Sequence, residues 1–165
     1  VSDDEQWMRL ALREAEQALE EKEVPVGAVV VQDGRLLGRG HNRVEALQDA
    51  TAHAEILALG AASATLGSWR LEGATLYVTL EPCPMCAGAI LLARVSRLVF
   101  AAHDPTMGAC GSVRDLLDGA RLAGGIQVRS SVMSAESAAL LERFFQQIRA
   151  EHPGYRGNSR SGLSV

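Results

Sequence analysis

Aromatic side chains make up only 4% of this 165-residue chain, so its core must be built from Ala, Leu and Val rather than from rings. Cysteine is scarcer still. Three residues, few and odd in number, exclude a disulfide framework and fit a reducing, cytoplasmic setting. No apolar run approaches the roughly 20 residues of a membrane span. The first residues are acidic, unlike the basic opening of a secretory signal. Net positive charge is also missing. The formal charge is -4, which excludes a chain-wide attraction to nucleic acid. The acids are concentrated, however: residues 1–23 carry 8 acidic and 3 basic side chains, and the remainder is close to neutral. A local basic surface is therefore still possible beyond residue 23.

What is present suits one soluble domain. Hydrophobic residues are 47% and charged residues 22% of the chain. Trp7, Leu10, Ala11, Ala15, Ala18 and Leu19 recur at helical spacing, which predicts an amphipathic helix over 5–21. Val26–Val31 is a short apolar run that predicts a buried strand. Asp33-Gly34 turns it back into a second strand over 35–42, making a hairpin. A helix is expected over 52–66, capped by Asp49 or Thr51. Strands follow at 75–80, 96–101 and, weakly, 126–129. Helices follow at 84–93, 113–117 and 135–149, and Pro84 suits the first position of its helix. The expected class is α/β: a central mixed sheet of about five strands with helices on both faces, in three layers. Residues 1–152 form the domain, and Gly, Ser, Arg and Pro over 153–165 predict a flexible tail.

Two short clusters carry the chemistry: His53-Ala54-Glu55 and Pro82-Cys83-Pro84-Met85-Cys86. His53, Cys83 and Cys86 supply one nitrogen and two sulfur ligands. Three protein ligands leave a zinc ion one open position for water, the pattern of a catalytic site. Glu55 is the spare carboxylate, placed to move a proton without ligating. Both clusters fall where helices start. Two positive helix ends would then favour the thiolates and a bound hydroxide. Cys-x-x-Cys alone is equally a redox motif or half of a structural zinc knuckle. H-x-E followed by P-C-x-x-C is the signature of zinc-dependent nucleobase deaminases. Cys110, in the Gly-rich loop 107–112, competes as a fourth ligand that would close the site. Its alternative reading is a small buried hydrophobe.

With these motifs the chain resembles the bacterial tRNA-specific adenosine deaminases of the cytidine-deaminase-like superfamily. The resemblance covers about residues 5–149. It extends to Glu23-Val-Pro-Val-Gly-Ala28, to Thr51-Ala-His-Ala-Glu55 and to Thr79-Leu-Glu-Pro-Cys-Pro-Met-Cys-Ala-Gly-Ala89. It also takes in the loop from Asp104 to Ser112 and Phe144-Phe145 of the last helix. His41-Asn42-Arg43 matches as well, with His41 replacing an aromatic.

The resemblance implies a three-layer α/β/α fold and a cytoplasmic homodimer with one Zn2+ per subunit, acting on the anticodon stem-loop of a tRNA. Wobble adenosine would become inosine by hydroxide attack at purine C6, with ammonia leaving. His53, Cys83 and Cys86 would hold the zinc, and Glu55 would shuttle the proton. Asn42 and the Ala54 backbone amide would hold the flipped base, Asp104 would contact the ribose or backbone, and Phe145 and Arg149 would lie beside the RNA.

Blander roles stand next to these: a left-handed turn residue for Asn42, a turn cap for Asp104, core packing for Phe145. The chain departs from the family at Gln146, Gln147 and Ile148, where Arg is common, and at His103, which replaces Arg. Arg156 and Arg160 lie in the tail. The helix over 84–93 is apolar nearly all round, which predicts either a subunit interface or complete burial. A small-molecule guanine or cytosine deaminase is the second enzymatic reading, and a structural zinc or RNA-binding module is the third. Glu55 weighs against the third, because a scaffold has no use for a carboxylate beside an open zinc site.

Overall fold

The computed structural model describes residues 2–119 and 125–154, so most of the expected tail lies outside the described residues. The elements run α1 (Asp3–Glu20), β1 (Gly27–Gln32), β2 (Arg35–His41), α2 (Val44–Leu47), α3 (Ala54–Leu66), β3 (Thr75–Leu80), α4 (Pro84–Leu92), β4 (Arg97–Ala102), β5 (Gln127–Arg129) and α5 (Ser134–Glu151). The strands form one five-stranded sheet in the order β2-β1-β3-β4-β5. β1 pairs antiparallel with both β2 and β3, and β3, β4 and β5 run parallel. The expected mixed sheet is thus present.

Strand alternation divides the core in two. Ala28, Val30, Leu76, Val78, Leu98 and Phe100 face α3 and α4, where Ala58, Ala62, Ala87 and Ile90 meet them. Val29, Val31, Tyr77, Val99 and Ala101 face α1 and α5, against Met8, Ala11, Ala15, Leu140 and Phe144. With few rings to fill space, the layers close up instead. At Gly27 a Cβ would collide with the α1 backbone at Ala11 and Ala15, and at Gly38 with the α3 backbone at Ala58 and Ala62. Small residues on the helices and glycine on the strands let main chains approach where aromatics would hold them apart.

α1 begins at Ser2, whose hydroxyl accepts the Glu5 N–H, and three acids occupy its positively polarised first turn. One of them, Asp4, is buried and joins the helix to the sheet. Its carboxylate accepts from Arg97 twice at 2.7 Å, from the Tyr77 hydroxyl at 2.8 Å and from Arg129 at 2.5 Å. Arg97 is the chief reason the Asp4 carboxyl is held far below the usual carboxylate range. A depressed native pKa stabilises the fold in full above the unfolded carboxylate's pKa, about 4, and the contribution is lost as pH falls below that. Asp4→Asn is expected to lower unfolding free energy by about 2–3 kcal/mol at pH 7. The gap from the parent should narrow below about pH 4, which urea titrations at two pH values would show.

Two local expectations are corrected. The helix over 113–117 does not form. The segment is a turn instead: Gly108 C=O accepts from Val113 and Arg114, Asp115 Oδ1 accepts from Leu117 and Asp118, and Cys110 pairs with Asp115. The helix expected from residue 52 starts at Ala54, because Asp49 accepts from both the N–H and hydroxyl of Thr51 and closes a separate turn ahead of it. Of the two alternatives for α4, complete burial is the one the structure removes: Leu92 is 61% exposed and Met85 is also exposed. No helix among the described residues is long and apolar enough to cross a membrane.

Candidate active site

The site forms at the C-terminal end of β3, where the parallel strands deliver their loops. Cys83 is the N-cap of α4, Pro84 opens the helix with its fixed φ, and Cys86 sits three residues beyond the cap. A helical turn therefore aims both sulfurs the same way. His53 is the N-cap of α3 but its side chain makes no capping bond, and its imidazole points at α4 instead. His53 Nδ1 lies 3.6 Å from Cys83 Sγ and 3.6 Å from Cys86 Sγ. The three ligand atoms all lie within 4.8 Å of one another. Zn–N and Zn–S bonds at a tetrahedral angle demand a nitrogen-to-sulfur separation of about 3.6 Å. The triangle therefore has the dimensions and the donor set of a zinc site. Cys110 is not part of it. It is buried with its thiol pKa pushed up, chiefly by that burial, and behaves as a small core residue.

The two thiols are strongly inequivalent. The Cys86 thiol donates to Cys83 and, with His53 beside it, holds Cys83 down at about 4. Cys86 is pushed up, by that same bond and by burial. His53 is raised by its bond to Cys83. A cation in the triangle would take over the role of these shared protons, which is how thiolate sites load.

Glu55 is 4% exposed and lies in the first turn of α3. Burial raises its carboxyl above the usual range, against the opposing pull of the Cys86 thiol and of His53. That environment suits a group that must both accept and donate a proton near neutrality. A small cavity of about 10 Å3, room for about one water, is lined by Asn42, His53, Glu55, Glu81, Cys83 and Asp104 together with apolar residues.

Asn42 is buried but does not adopt the left-handed conformation. Its Oδ1 accepts the Ala54 N–H at 2.8 Å and so satisfies a first-turn donor of α3 that the His53 side chain leaves uncapped. The Asn42 NH2 is what remains for a ligand. The Ala54 amide is already committed to Asn42, so the expected direct contact of that amide with the base is not free in this structure. Asp104, also buried, accepts from Thr106 and Met107 N–H at 2.9 and 3.1 Å, capping its own turn while lining the cavity.

Phe145 sits in the core, edge-on to Phe144, and with Arg149, His103, Leu141 and Glu142 it lines a cavity of about 300 Å3. Its neighbour Phe144 instead lines a groove of about 560 Å3 that reaches Asn42 and His53, with Val24, Val44 and Ile148.

Sequence reasoning assigned no role to Glu81, whose side chain is fully buried. Its Oε1 accepts from Asp104 N–H at 3.2 Å and from the Ser112 hydroxyl, and Oε2 accepts from Cys110 and Ser112 N–H at 3.1 Å each. Burial works to raise this carboxyl, and the Ser112, Cys110 and Asp104 bonds together outweigh it and hold it below the usual range. The only signal available in advance was a carboxylate directly before Pro82-Cys83.

Residues 2–149 match the family described as MafB19-like deaminase. The tRNA-specific adenosine deaminase of Bacillus subtilis is 46% identical over 96% of this chain and 98% of its own. A solved structure from work on A-to-I editing by tRNA:A34 deaminases at the wobble position superposes with a TM-score of 0.78 at 47% identity, covering 82% of this chain and 98% of that one. The guanine deaminase of Nitrosomonas europaea superposes with a TM-score of 0.73 at 29% identity, covering 87% and 85%.

Proposed function

The chain belongs to the MafB19-like deaminase family and, within it, to the tRNA-specific adenosine deaminases, and from that footing we propose that it converts wobble adenosine of a tRNA anticodon to inosine. The chemistry rests on one observation: a buried carboxylate, Glu55, beside a His53–Cys83–Cys86 triangle sized for zinc. The substrate class rests on the likeness to the Bacillus subtilis enzyme, which is much stronger than the likeness to the guanine deaminase.

Zinc bound by His53, Cys83 and Cys86 would act as the Lewis acid that makes a water nucleophilic at neutral pH. Glu55 takes the proton that this water loses on adding to C6. It gives that proton to purine N1, then takes the proton of the new C6 hydroxyl and passes it to the departing amino group. The C6–N6 bond breaks, ammonia leaves, and the oxygen stays on C6 as inosine. Asn42 holds the base through its NH2, an amide donor matched to a purine acceptor. The Asn42–Ala54 bond fixes that amide to the same helix that carries Glu55, so base and proton carrier share one frame.

The groove floored by Phe144, Val24, Val44 and Ile148 suits nucleotides flanking the flipped base, which stack readily on aromatic and apolar walls. Asp104 faces the ribose side, and Phe145 with Arg149 lines the RNA-facing cavity beside it. The exposed Leu92 and Met85 of α4 are consistent with a homodimer interface. A tRNA substrate is in keeping with a cytoplasmic location.

Incubation with tRNA bearing wobble adenosine, alongside free guanine and cytosine, tests the reading. Inosine should accumulate in the tRNA with no ammonia from the free bases. Ammonia from guanine and none from tRNA would transfer the chain to the small-molecule enzymes.

A further inference from the structure

We infer that Glu81 is a positioning residue that sets the substrate-facing wall, the loop 103–112, at a fixed distance from the metal-ligand turn. The inference rests on the deaminase reading above and adds a residue to it. Glu81 stands between the last residue of β3 and Pro82-Cys83, and its own N–H donates to Ala102 C=O at the end of β4. It therefore belongs to the rigid end of the sheet. Its carboxylate, however, is given over to another segment. It collects the N–H groups of Asp104, Cys110 and Ser112 and the Ser112 hydroxyl, while His103 Nδ1 lies 3.4 Å away. A second tie runs alongside, from Ala109 N–H to Pro82 C=O at 2.9 Å.

The loop's other bonds are mostly within itself and its continuation: Gly108 N–H donates to Asp104 C=O, Asp104 Oδ1 accepts from Thr106 and Met107 N–H, and Gly108 C=O accepts from Val113 and Arg114 N–H. The loop has no helix and carries Gly108 and Gly111. Gly108 is required by the same carboxylate: a Cβ there would overlap both Glu81 and the Asp104 carbonyl. Three loop N–H groups are thus satisfied by one buried anion, which an apolar or neutral side chain could not do without leaving donors unpaired. What the anion holds in place is a wall of the catalytic cavity. Asp104 lines that cavity with Asn42, Glu55 and Cys83, and so does Glu81 itself. Neither His53 nor Glu55 hangs on these bonds, because both sit on α3. Glu81 therefore acts on how substrate is seated and leaves the metal and the proton carrier where they are.

Glu81→Gln tests this, since it keeps the size but points an NH2 at N–H donors. The variant should keep one zinc per chain and raise KM for wobble-adenosine tRNA about tenfold or more, with kcat changed less than about threefold. Gly108→Ala, which displaces the loop with the carboxylate intact, should give the same split, and it decides the matter if Glu81→Gln does not fold. Ser112→Ala should give a weaker version. Hydrogen exchange read in parallel should show the Asp104, Cys110 and Ser112 amides losing protection in Glu81→Gln, with the α3 amides unchanged. Unaltered KM in both variants, or loss of zinc from Glu81→Gln, would overturn the inference. An unmodified enzyme inactive on tRNA would instead sink the functional reading, and the exchange pattern would still decide the role of Glu81.

Discussion

Glu55→Gln is expected to lower inosine formation by about 10^3-fold while the protein still takes up one zinc per chain. The loss corresponds to about 4 kcal/mol of transition-state stabilisation. The amide is nearly isosteric and leaves the triangle of His53, Cys83 and Cys86 in place, but it cannot carry a proton between water and purine. Substrate affinity should change little, because in the proposed mechanism Glu55 serves the proton in flight and the base is held from Asn42. Zinc content by atomic absorption and single-turnover rates on tRNA check the two halves separately. Loss of zinc would make Glu55 a ligand. Retained turnover would assign the proton transfer elsewhere and favour a non-enzymatic scaffold.

The opposite pattern is expected for Cys86→Ala. Cys86 is fully buried and is one corner of the ligand triangle. Without it, His53 and Cys83 offer two ligands, too few for a closed tetrahedral site with one exchangeable position. Zinc should fall to below about a tenth of an equivalent and activity with it. The Tm should fall too, because metal held by the folded state alone adds to its stability. Cys110→Ala supplies the control: it should keep zinc and activity. Zinc loss in Cys110→Ala with retention in Cys86→Ala would reverse the assignment of the third ligand.

Comparison of these sites with the sequence shows which kinds of information are local. His53, Cys83 and Cys86 were legible because each falls at a helix start, and the helices announce themselves by Pro84 and by an apolar run after residue 53. Asn42 was visible as a candidate, but its Oδ1 bond to Ala54 was not, because no spacing rule links a hairpin exit to a helix cap twelve residues away. Glu81 escaped for the same reason, since its partners lie 23 to 31 residues downstream. Val113–Leu117 has a helical pattern, yet Asp115 and the Gly108 carbonyl turn the chain first. The Phe144-Phe145 pair shows the limit of periodicity in another way. Adjacent helical residues point about 100° apart, and only packing of α5 on the sheet decides that Phe144 meets the groove with Asn42 and that Phe145 meets the other cavity.

The mixed character of the sheet followed from an opening hairpin and the alternation of apolar strands and helices after it, while the order β2-β1-β3-β4-β5 was not readable in advance. The tight approach of α1 and α3 to β1 and β2 followed from the scarcity of rings, with Gly27 and Gly38 as its visible marks.

Mapping inosine along a full-length tRNA after exposure to the purified enzyme tests the central claim most directly. The account predicts inosine at the wobble position alone, formed by the parent protein and absent with Glu55→Gln. Inosine scattered over other unpaired adenosines, or formed equally by both proteins, would contradict it.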